Sequence, residues 1–263
     1  MPFRLSPTFR DRLVGATRPR AGIWVCSGSP VMAEICAGAG MDWVLIDMEH
    51  APNGLESVLV QLQAVAAYPV TPVVRVPVGD VVTIKQVLDL GAQNLLVPMV
   101  GTAEQAREIV AATRYPPRGR RGVGSALARS GRWNRVEGYL GDADAYVSVL
   151  VQVETVEGVD NAAEIAAVDG VDGLFVGPSD LAASMGVLGQ QTHPEVTATV
   201  LRVFEAARAT GTPVGVNAFD PAAAQAYAEA GADFILVGAD VTLVARGSEA
   251  LAQRWAPASR DPA

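Results

Sequence analysis

The chain has 263 residues, 50% of them hydrophobic, and a formal net charge of −8 at pH 7. This length fits one large α/β domain or two small ones, and the acidic excess argues against nucleic-acid binding. No run of about 18 uncharged apolar residues occurs, so we expect no membrane span.

The start of the chain and the cysteines favour a cytoplasmic protein. Residues 1–20 carry five arginines but lack the apolar segment of a secretory signal. A transit peptide is the alternative, but we favour a short amphipathic helix over residues 7–13. Cys26 and Cys36 lie on separate predicted elements, as is typical of reduced thiols.

From residue 21 onward, short apolar runs alternate with segments of helical periodicity. The apolar runs predict parallel strands buried on both faces, over residues 22–26, 43–47, 72–76, 94–98, 148–154, 173–176, 213–216 and 233–237. Helices are expected over residues 55–67, 81–90, 103–113, 159–167, 194–210 and 221–229. Gly40, Gly91 and Gly231 fit the glycine that commonly follows a helix.

Eight such units predict a single (β/α)₈ TIM barrel spanning residues 1–263. A doubly wound open sheet is the alternative, but no G-x-G-x-x-G motif follows the first strand.

One long irregular segment, residues 114–146, carries seven arginines and no acid before Glu137. It is either a solvated or subunit-contacting loop, or an electropositive lid over an anionic substrate.

The segment Leu45-Ile-Asp-Met-Glu-His-Ala-Pro-Asn53 places three titratable side chains directly after a buried strand. These are Asp47, Glu49 and His50, and the chain has only two histidines. A histidine beside a carboxylate is a common general acid/base pair. The alternative is structural, with Asp47 capping a turn and His50 starting a helix.

Other strand ends add polar groups at the same face, because chemistry in a barrel sits at the carboxyl ends of its strands. These groups are Arg75, Gln152, Glu154 and, after the sixth strand, Asp180. Glu154 and Asp180 offer hard oxygen ligands that suit Mg²⁺ or Mn²⁺. An internal Glu154–Arg75 salt bridge is the alternative. Ser179 lies near the start of a short helix, where free amides would bind a carboxylate or phosphate.

Three further residues are expected to stay outside the chemistry. Lys85 is the only lysine, but it lies in a helical stretch rather than at a strand end, so we exclude a Schiff base. His193 precedes a predicted helix and is interpreted as a helix-entry residue. Cys26 lies at a strand end without an identifiable histidine partner, which argues against a nucleophilic thiol.

Together these segments resemble the metal-dependent pyruvate aldolases of the HpcH/HpaI family. The resemblance is carried by Asp42-Trp-Val-Leu-Ile-Asp-Met-Glu-His-Ala-Pro-Asn53, Gly91-Ala-Gln-Asn-Leu-Leu-Val-Pro-Met99, Arg114-Tyr-Pro-Pro-Arg-Gly-Arg-Arg-Gly-Val-Gly124, Val151-Gln-Val-Glu154 and Gly177-Pro-Ser-Asp180. It extends from about residue 22 to residue 251. It implies a TIM barrel of the phosphoenolpyruvate/pyruvate type, with its last helix exchanged between subunits of a homohexamer.

The resemblance also implies an activity, an aldehyde-lyase reaction between an aldehyde and pyruvate or a related 2-oxo acid such as hydroxypyruvate. By position, Glu154 and Asp180 match the ligands of a divalent metal, which is Mg²⁺ or Mn²⁺, with Co²⁺ as a further option. His50, oriented by Asp47, matches the acid/base group.

The remaining matches concern the substrate. Arg75 matches the group that steadies the keto oxygen, with Gln152 beside it, and the amides of Ser179 and Asp180 would hold the substrate carboxylate. Asp89 matches a residue that reaches a neighbouring subunit's site. Ser179 and Asn217 depart from common family residues, and both are expected on the aldehyde side.

Three rival functions are compatible with a barrel of this kind. A citryl- or malyl-CoA type lyase would need an extended nucleotide surface beyond the barrel. A phosphosugar isomerase or epimerase would bind phosphate after strands seven and eight, where Asp220 and Asp240 would repel it. A non-catalytic binding barrel does not account for so many polar groups at the strand ends.

Overall fold

The computed structural model describes residues 4–256 and forms a closed barrel of eight parallel strands in chain order. Every predicted strand is present, with boundaries shifted by at most two residues. The strands are β1 (Arg20–Val25), β2 (Trp43–Asp47), β3 (Thr71–Arg75), β4 (Asn94–Val97), β5 (Ser148–Val153), β6 (Gly173–Val176), β7 (Val214–Asn217) and β8 (Phe234–Ala239). The predicted TIM barrel is therefore confirmed.

Helices separate the strands and form the outer layer of the barrel. They are α1 (Phe9–Leu13), α2 (Pro30–Gly38), α3 (Leu55–Ala64), α4 (Val81–Asp89), α5 (Ala103–Thr113), α6 (Tyr139–Asp142), α7 (Val156–Asp160), α8 (Ala162–Ala166), α9 (Pro178–Ser184), α10 (Pro194–Thr210), α11 (Pro221–Glu229) and α12 (Asp240–Trp255). Within residues 4–256, no helix combines the length and apolar character needed to cross a membrane.

Two predicted helices differ from the structure. The helix expected over residues 159–167 is two short helices, because Asn161 leaves the helical conformation and its side-chain amide donates to the Gly101 carbonyl at 2.7 Å. The helix expected over residues 55–67 ends at Ala64 and continues as one 3₁₀ turn. Gly40, Gly91 and Gly231 have φ of 89°, 92° and 99°, which confirms their place after helix ends.

Aromatic side chains fill the barrel interior near its amino-terminal end. Phe9 of α1 is buried there, with its ring centroid 5.0 Å from that of Trp43 and 5.2 Å from that of Phe234. A Cβ at Gly22 would lie 2.3 Å from the Trp43 ring, so only glycine fits beside it. Because α1 and these rings close this end of the barrel, the accessible strand ends are the carboxyl ends.

The arginine-rich segment lies at the amino-terminal side of the barrel, since it connects the end of α5 to the start of β5. Arg114 and Arg118 form ion pairs with Asp144, at 3.7 and 2.7 Å. Arg121 is fully buried, 3.1 Å from Asp89 at the end of α4, with its guanidinium 4.7 Å from the Tyr115 ring centroid. The segment therefore does not form a lid over the strand ends of its own subunit, and that interpretation was wrong.

Candidate active site

A bidentate ion pair between Asp47 and Arg75 forms the base of the candidate site. The two residues are partners in the register of β2 and β3, at the last position of each strand. Arg75 Nε and Nη2 each donate to one Asp47 carboxylate oxygen at 2.8 Å, and both side chains are buried. This geometry holds the guanidinium rigidly at the mouth of the barrel.

Glu49 and His50 lie on the loop that Asp47 organises. The Asp47 carboxylate accepts the backbone N–H of Glu49 at 3.0 Å and of His50 at 3.3 Å. Glu49 Oε2 lies 2.9 Å from Arg75 Nη1 and 3.9 Å from His50 Nε2, and the imidazole is mostly exposed. Asp47 thus orients the backbone at His50, while the carboxylate beside the imidazole is that of Glu49.

Burial raises the pKa of Glu49 above its ordinary value. The neighbouring carboxylates of Asp47 and Asp180 act in the same direction, whereas Arg75 and His50 oppose them. Glu49 therefore lies in a cluster of competing charges at the mouth of the barrel.

Trp24 is a site residue that sequence reasoning missed. Its ring lies 4.2 Å from the Arg75 guanidinium carbon, which is a cation–π distance. Its indole N–H donates to Asn217 Oδ1 at 2.8 Å. Trp24 stands near the end of β1, and an aromatic with a polar edge at a strand end is the signal that could have identified it.

Glu154 and Gln152 face each other at the end of β5. The Gln152 side-chain amide donates to Glu154 Oε2, and the Met99 N–H donates to Oε1 at 2.8 Å. Met99 adopts a left-handed conformation, with φ of 58°, that no sequence pattern indicated. At Gly177 a Cβ would lie 2.6 Å from Glu154 Oε2, so glycine leaves room for the carboxylate.

Among residues 4–256, the charge of Glu154 has no protein counter-ion. Arg75 pairs with Asp47 and Glu49, so the alternative of a Glu154–Arg75 salt bridge is wrong. Burial raises the pKa of Glu154 to about 7, and the carboxylates of Asp180 and Glu49 add to that effect. A buried carboxylate beside like charges favours a bound cation.

The donor set fits a hard divalent cation. Glu154 and Asp180 supply carboxylate oxygens, and Gln152 Oε1 is buried with no hydrogen-bond partner in residues 4–256. Among the residues that the structure describes, no group of three or more His, Cys, Asp or Glu side chains could hold a metal. A cation here would rely on two protein carboxylates together with water or substrate oxygens, as Mg²⁺ commonly does.

Ser179 and Asn217 line a common cavity of about 310 Å³ between α9 and α11. Ser179 is exposed in the first turn of α9, where backbone amides have no helical acceptor. Asn217 uses its carbonyl oxygen to hold Trp24. Ser179 and Asn217, which were both expected on the aldehyde side of the site, therefore lie together.

The structure gives the following positions to the three residues that were expected to stay outside the chemistry. Lys85 lies on α4. His193 caps α10, with Nδ1 accepting the Glu195 N–H at 3.2 Å. Burial raises the pKa of Cys26 to about 12, with Asp47 and Asp240 adding to the effect, so its thiol is protonated at neutral pH.

The two acids that were expected to repel phosphate have structural partners. Asp220 caps α11, accepting the Ala223 N–H at 2.8 Å. Asp240 is buried and accepts the N–H groups of Cys26 and Ser27 at 2.8 and 3.1 Å. Asp240 therefore occupies two backbone amides that follow β1.

Asp89 lies away from the strand ends of its own subunit. It is the last residue of α4, and Arg129 donates its N–H to the Asp89 carbonyl at 3.0 Å. Its carboxylate is half-buried beside Arg121. Any role for Asp89 in catalysis would have to be in a neighbouring subunit.

Residues 20–247 match the family model described as HpcH/HpaI aldolase/citrate lyase. A 4-hydroxy-2-oxo-heptane-1,7-dioate aldolase of Salmonella typhi is 54% identical over 247 residues, covering 94% of each chain. A hydroxypyruvate/pyruvate aldolase of Deinococcus radiodurans is 53% identical, covering 100% of this chain and 95% of its own length. The crystal structure of a HpcH/HpaI aldolase/citrate lyase family protein from Burkholderia cenocepacia matches with a TM-score of 0.90 at 44% identity, covering 95% of this chain and 99% of that one.

Proposed function

We propose that this chain, which belongs to the HpcH/HpaI aldolase/citrate lyase family, is a class II aldolase. As a carbon–carbon lyase it cleaves a 4-hydroxy-2-oxo acid to an aldehyde and pyruvate, or a related 2-oxo acid such as hydroxypyruvate, and catalyses the reverse addition. The relatives named above as aldolases support this reaction class and make a citryl- or malyl-CoA type lyase the less favoured alternative.

The observation that carries the proposal is the buried Glu154 carboxylate, which has no counter-ion in the part of the chain that the structure describes. Its raised pKa and the nearby carboxylate of Asp180 favour a divalent cation, Mg²⁺ or Mn²⁺, held by these two residues. Such an ion supplies a Lewis acid that stabilises negative charge on the keto oxygen of the 2-oxo acid. Co²⁺ is a further option for the same oxygen ligands.

Arg75 provides the second positive charge at the keto oxygen. Its guanidinium is fixed by Asp47 on one side and by the Trp24 ring on the other, so it needs no reorganisation during the reaction. Preorganised charge of this kind is commonly the largest contribution to lowering a barrier. Gln152 lies beside Glu154 and presents its unpaired Oε1 to the same space.

His50 moves the proton at the substrate hydroxyl. In the cleavage direction it accepts the C4 hydroxyl proton, the C3–C4 bond breaks, and the electron pair of that bond passes to the enolate as the aldehyde leaves. A proton then returns to C3 to give the free 2-oxo acid. The exposed imidazole beside Glu49 is positioned for transfer directly or through one water.

The backbone amides of Ser179 and Asp180 hold the substrate carboxylate. They lie in the first turn of α9, where intrahelical acceptors are absent. The cavity lined by Ser179 and Asn217 then receives the aldehyde. Both side chains can hydrogen-bond, which favours aldehydes with a polar substituent.

The last helix supports a homo-oligomer, which we propose to be a hexamer with exchanged helices. Residues 241–255 of α12 are all exposed, including the apolar side chains Val241, Leu243, Val244, Leu251 and Trp255. A groove of about 300 Å³ beside α11 and β8 presents Ala224, Ala228, Ile235 and Val237. An exposed apolar helix and an unfilled apolar groove on one chain fit exchange with a second copy.

In such an assembly Asp89 would act in a neighbouring subunit, because the end of α4 faces away from the local site.

A cytoplasmic location is supported by Cys26 and Cys36, which are both free thiols.

The test is proton–deuterium exchange at the methyl group of pyruvate in D₂O, followed by NMR. We expect exchange that stops with EDTA and returns when Mg²⁺ or Mn²⁺ is restored, and that is absent in Glu154→Ala. Hydroxypyruvate is the second donor to examine. Full exchange by Glu154→Ala without added metal, or no exchange with either donor, would contradict the proposal.

A further inference from the structure

A second polar cavity lies at the amino-terminal face of the barrel, at the opposite end from the candidate active site. Its volume is about 200 Å³, and it is bounded by the first residues of β3 and β4, Thr71 and Asn94. Three arginines line it, namely Arg12 of α1 and Arg129 and Arg132 of the arginine-rich segment. No Asp or Glu is among the described residues that line this cavity, so its charge is positive.

Arg129 and Arg132 lie side by side, and neither has a carboxylate partner among the described residues. Within residues 4–256 their guanidiniums donate only to main-chain carbonyls, Arg129 to that of Leu90 and Arg132 to that of Arg129. Both Nη1 atoms lie within 3 Å of the position that a Gly91 Cβ would take. Glycine at this position therefore lets the two guanidiniums approach the end of α4 and each other.

The positive charges of Arg129 and Arg132 are also energetically unfavourable at these half-buried positions. Burial lowers the pKa of Arg129 to about 10, and the charge of Arg132 adds to that effect. Other arginines of the same segment, Arg114 and Arg121, have acidic partners. A half-buried like-charge pair is expected to persist where an anion compensates it.

The backbone around Arg132 is held in an unfavourable conformation. Arg132, Trp133 and Asn134 are consecutive non-glycine residues with φ of 49°, 56° and 63°. Left-handed residues of this kind rarely follow one another, because each brings its Cβ close to the main chain. Strain of this sort is concentrated at ligand-binding positions, and here it directs Arg132 toward Gly91.

We propose that this cavity is a binding site for a small, doubly charged oxyanion of the phosphate type. Guanidinium groups bind such oxyanions through paired N–H donors, and Arg129 and Arg132 offer two adjacent forks with Arg12 at the rim. A volume of about 200 Å³ holds a tetrahedral oxyanion with a few waters, each occupying about 30 Å³. The site is separated from Arg75 by the length of β3, roughly 13 Å at about 3.3 Å per residue.

The test is calorimetric titration of inorganic phosphate into the purified full-length protein at low ionic strength, with and without EDTA. We expect one phosphate per chain, bound equally in both conditions, because the arginine cavity needs no metal whereas phosphate at the active site would. Affinity should fall at least tenfold in Arg132→Gln and also in Arg12→Gln. The Arg12 side chain is exposed, so its substitution is expected to leave the fold intact. Arg107→Gln, an exposed arginine on α5 paired with Glu104, should bind like the wild type.

Three results would overturn the proposal. The first is an absence of saturable binding to the wild-type protein, and the second is equal affinity in wild type and Arg132→Gln. The third is a change in assembly size on Arg132→Gln with no phosphate binding, measured by light scattering. In that case the arginines would compensate a carboxylate of a second copy rather than a free anion. None of these results depends on the aldolase reaction.

Discussion

Replacing Glu154 by Gln should stabilise the metal-free protein above pH 7 while abolishing its activity. The carboxylate is buried, and burial with two neighbouring carboxylates raises its pKa from 4.5 to about 7. In the unfolded chain the same group ionises near its ordinary value. Ionisation of Glu154 is therefore about 3 kcal/mol less favourable in the folded state than in the unfolded state, because each unit of pKa shift corresponds to about 1.4 kcal/mol.

The direction of the pH dependence of stability follows from proton binding in the folded and unfolded states. Between about pH 4.5 and pH 7 the folded protein holds a proton on Glu154 that the unfolded chain has lost. Stability therefore falls as pH rises through this window and is lower, by up to about 3 kcal/mol, above pH 7. Glu154→Gln removes this loss, so the variant should gain stability at pH 8 and match the wild type near pH 4.5.

The neutral amide also fits the contacts around it. The Met99 N–H that now donates to Oε1 can donate to the glutamine oxygen. Gln152 Oε1, which is buried without a partner, can rotate to accept from the new amide N–H₂. This rotation exchanges one unpaired buried group, Gln152 Oε1, for another, the Gln152 amide N–H₂, so the number of unpaired groups among the described residues stays the same and the electrostatic effect should dominate.

The assay is urea denaturation in EDTA at pH 5 and pH 8, at one protein concentration because subunit association affects apparent stability. Glu164→Gln, an exposed change of the same type on α8, is the matched control and should follow the wild type at both pH values. Restoring Mg²⁺ should stabilise the wild type but not Glu154→Gln. An equal or lower stability of Glu154→Gln at pH 8 would refute the reasoning.

Four further outcomes are expected. The affinity for Mn²⁺, measured by titration, should fall about tenfold for each pH unit below about 7, because binding must displace the Glu154 proton. An affinity that does not change between pH 5 and pH 7 would contradict this. His50→Ala should lower kcat by about 10²–10⁴-fold while Mn²⁺ affinity stays unchanged, and a matching loss of metal affinity would assign His50 to the metal site instead. Arg75→Met should lower the free energy of unfolding, measured by urea denaturation, by about 3–5 kcal/mol, because it leaves the Asp47 carboxylate buried without its cation. Adding Asp47→Asn to that variant should restore part of the lost free energy of unfolding. Iodoacetamide at pH 8 should leave activity unchanged, because the pKa of Cys26 is about 12 and its thiol is protonated; rapid inactivation that Cys26→Ala prevents would show a reactive thiolate.

Most of the fold could be predicted because it follows from local patterns. Buried parallel strands require short apolar runs and the covering helices require 3.6-residue periodicity, so their alternation indicated eight repeats. The helix expected over residues 159–167 was wrong because one side chain decided the local conformation. Asn161 interrupts a helix by bonding to Gly101, a contact between segments distant in sequence.

The types of groups at the site could also be predicted, but their partners depended on strand neighbours. Sequence position allowed Arg75 to pair with Glu154 or with the acids after β2. In the barrel, Arg75 on β3 is register partner of Asp47 on the adjacent β2, whereas Glu154 follows β5, two strands away. Adjacent strands are about 4.8 Å apart, so the guanidinium pairs with the nearer carboxylate and not with Glu154.

The sequence by itself therefore determined the barrel, the family and the residue types at the carboxyl ends of the strands, because these depend on periodicity and on order along the chain. Only the tertiary structure decided which charges are paired, that Trp24 and Met99 belong to the site, and that the arginine-rich segment lies at the opposite end. Those features depend on distances across the barrel and on main-chain direction, which one-dimensional spacing does not specify.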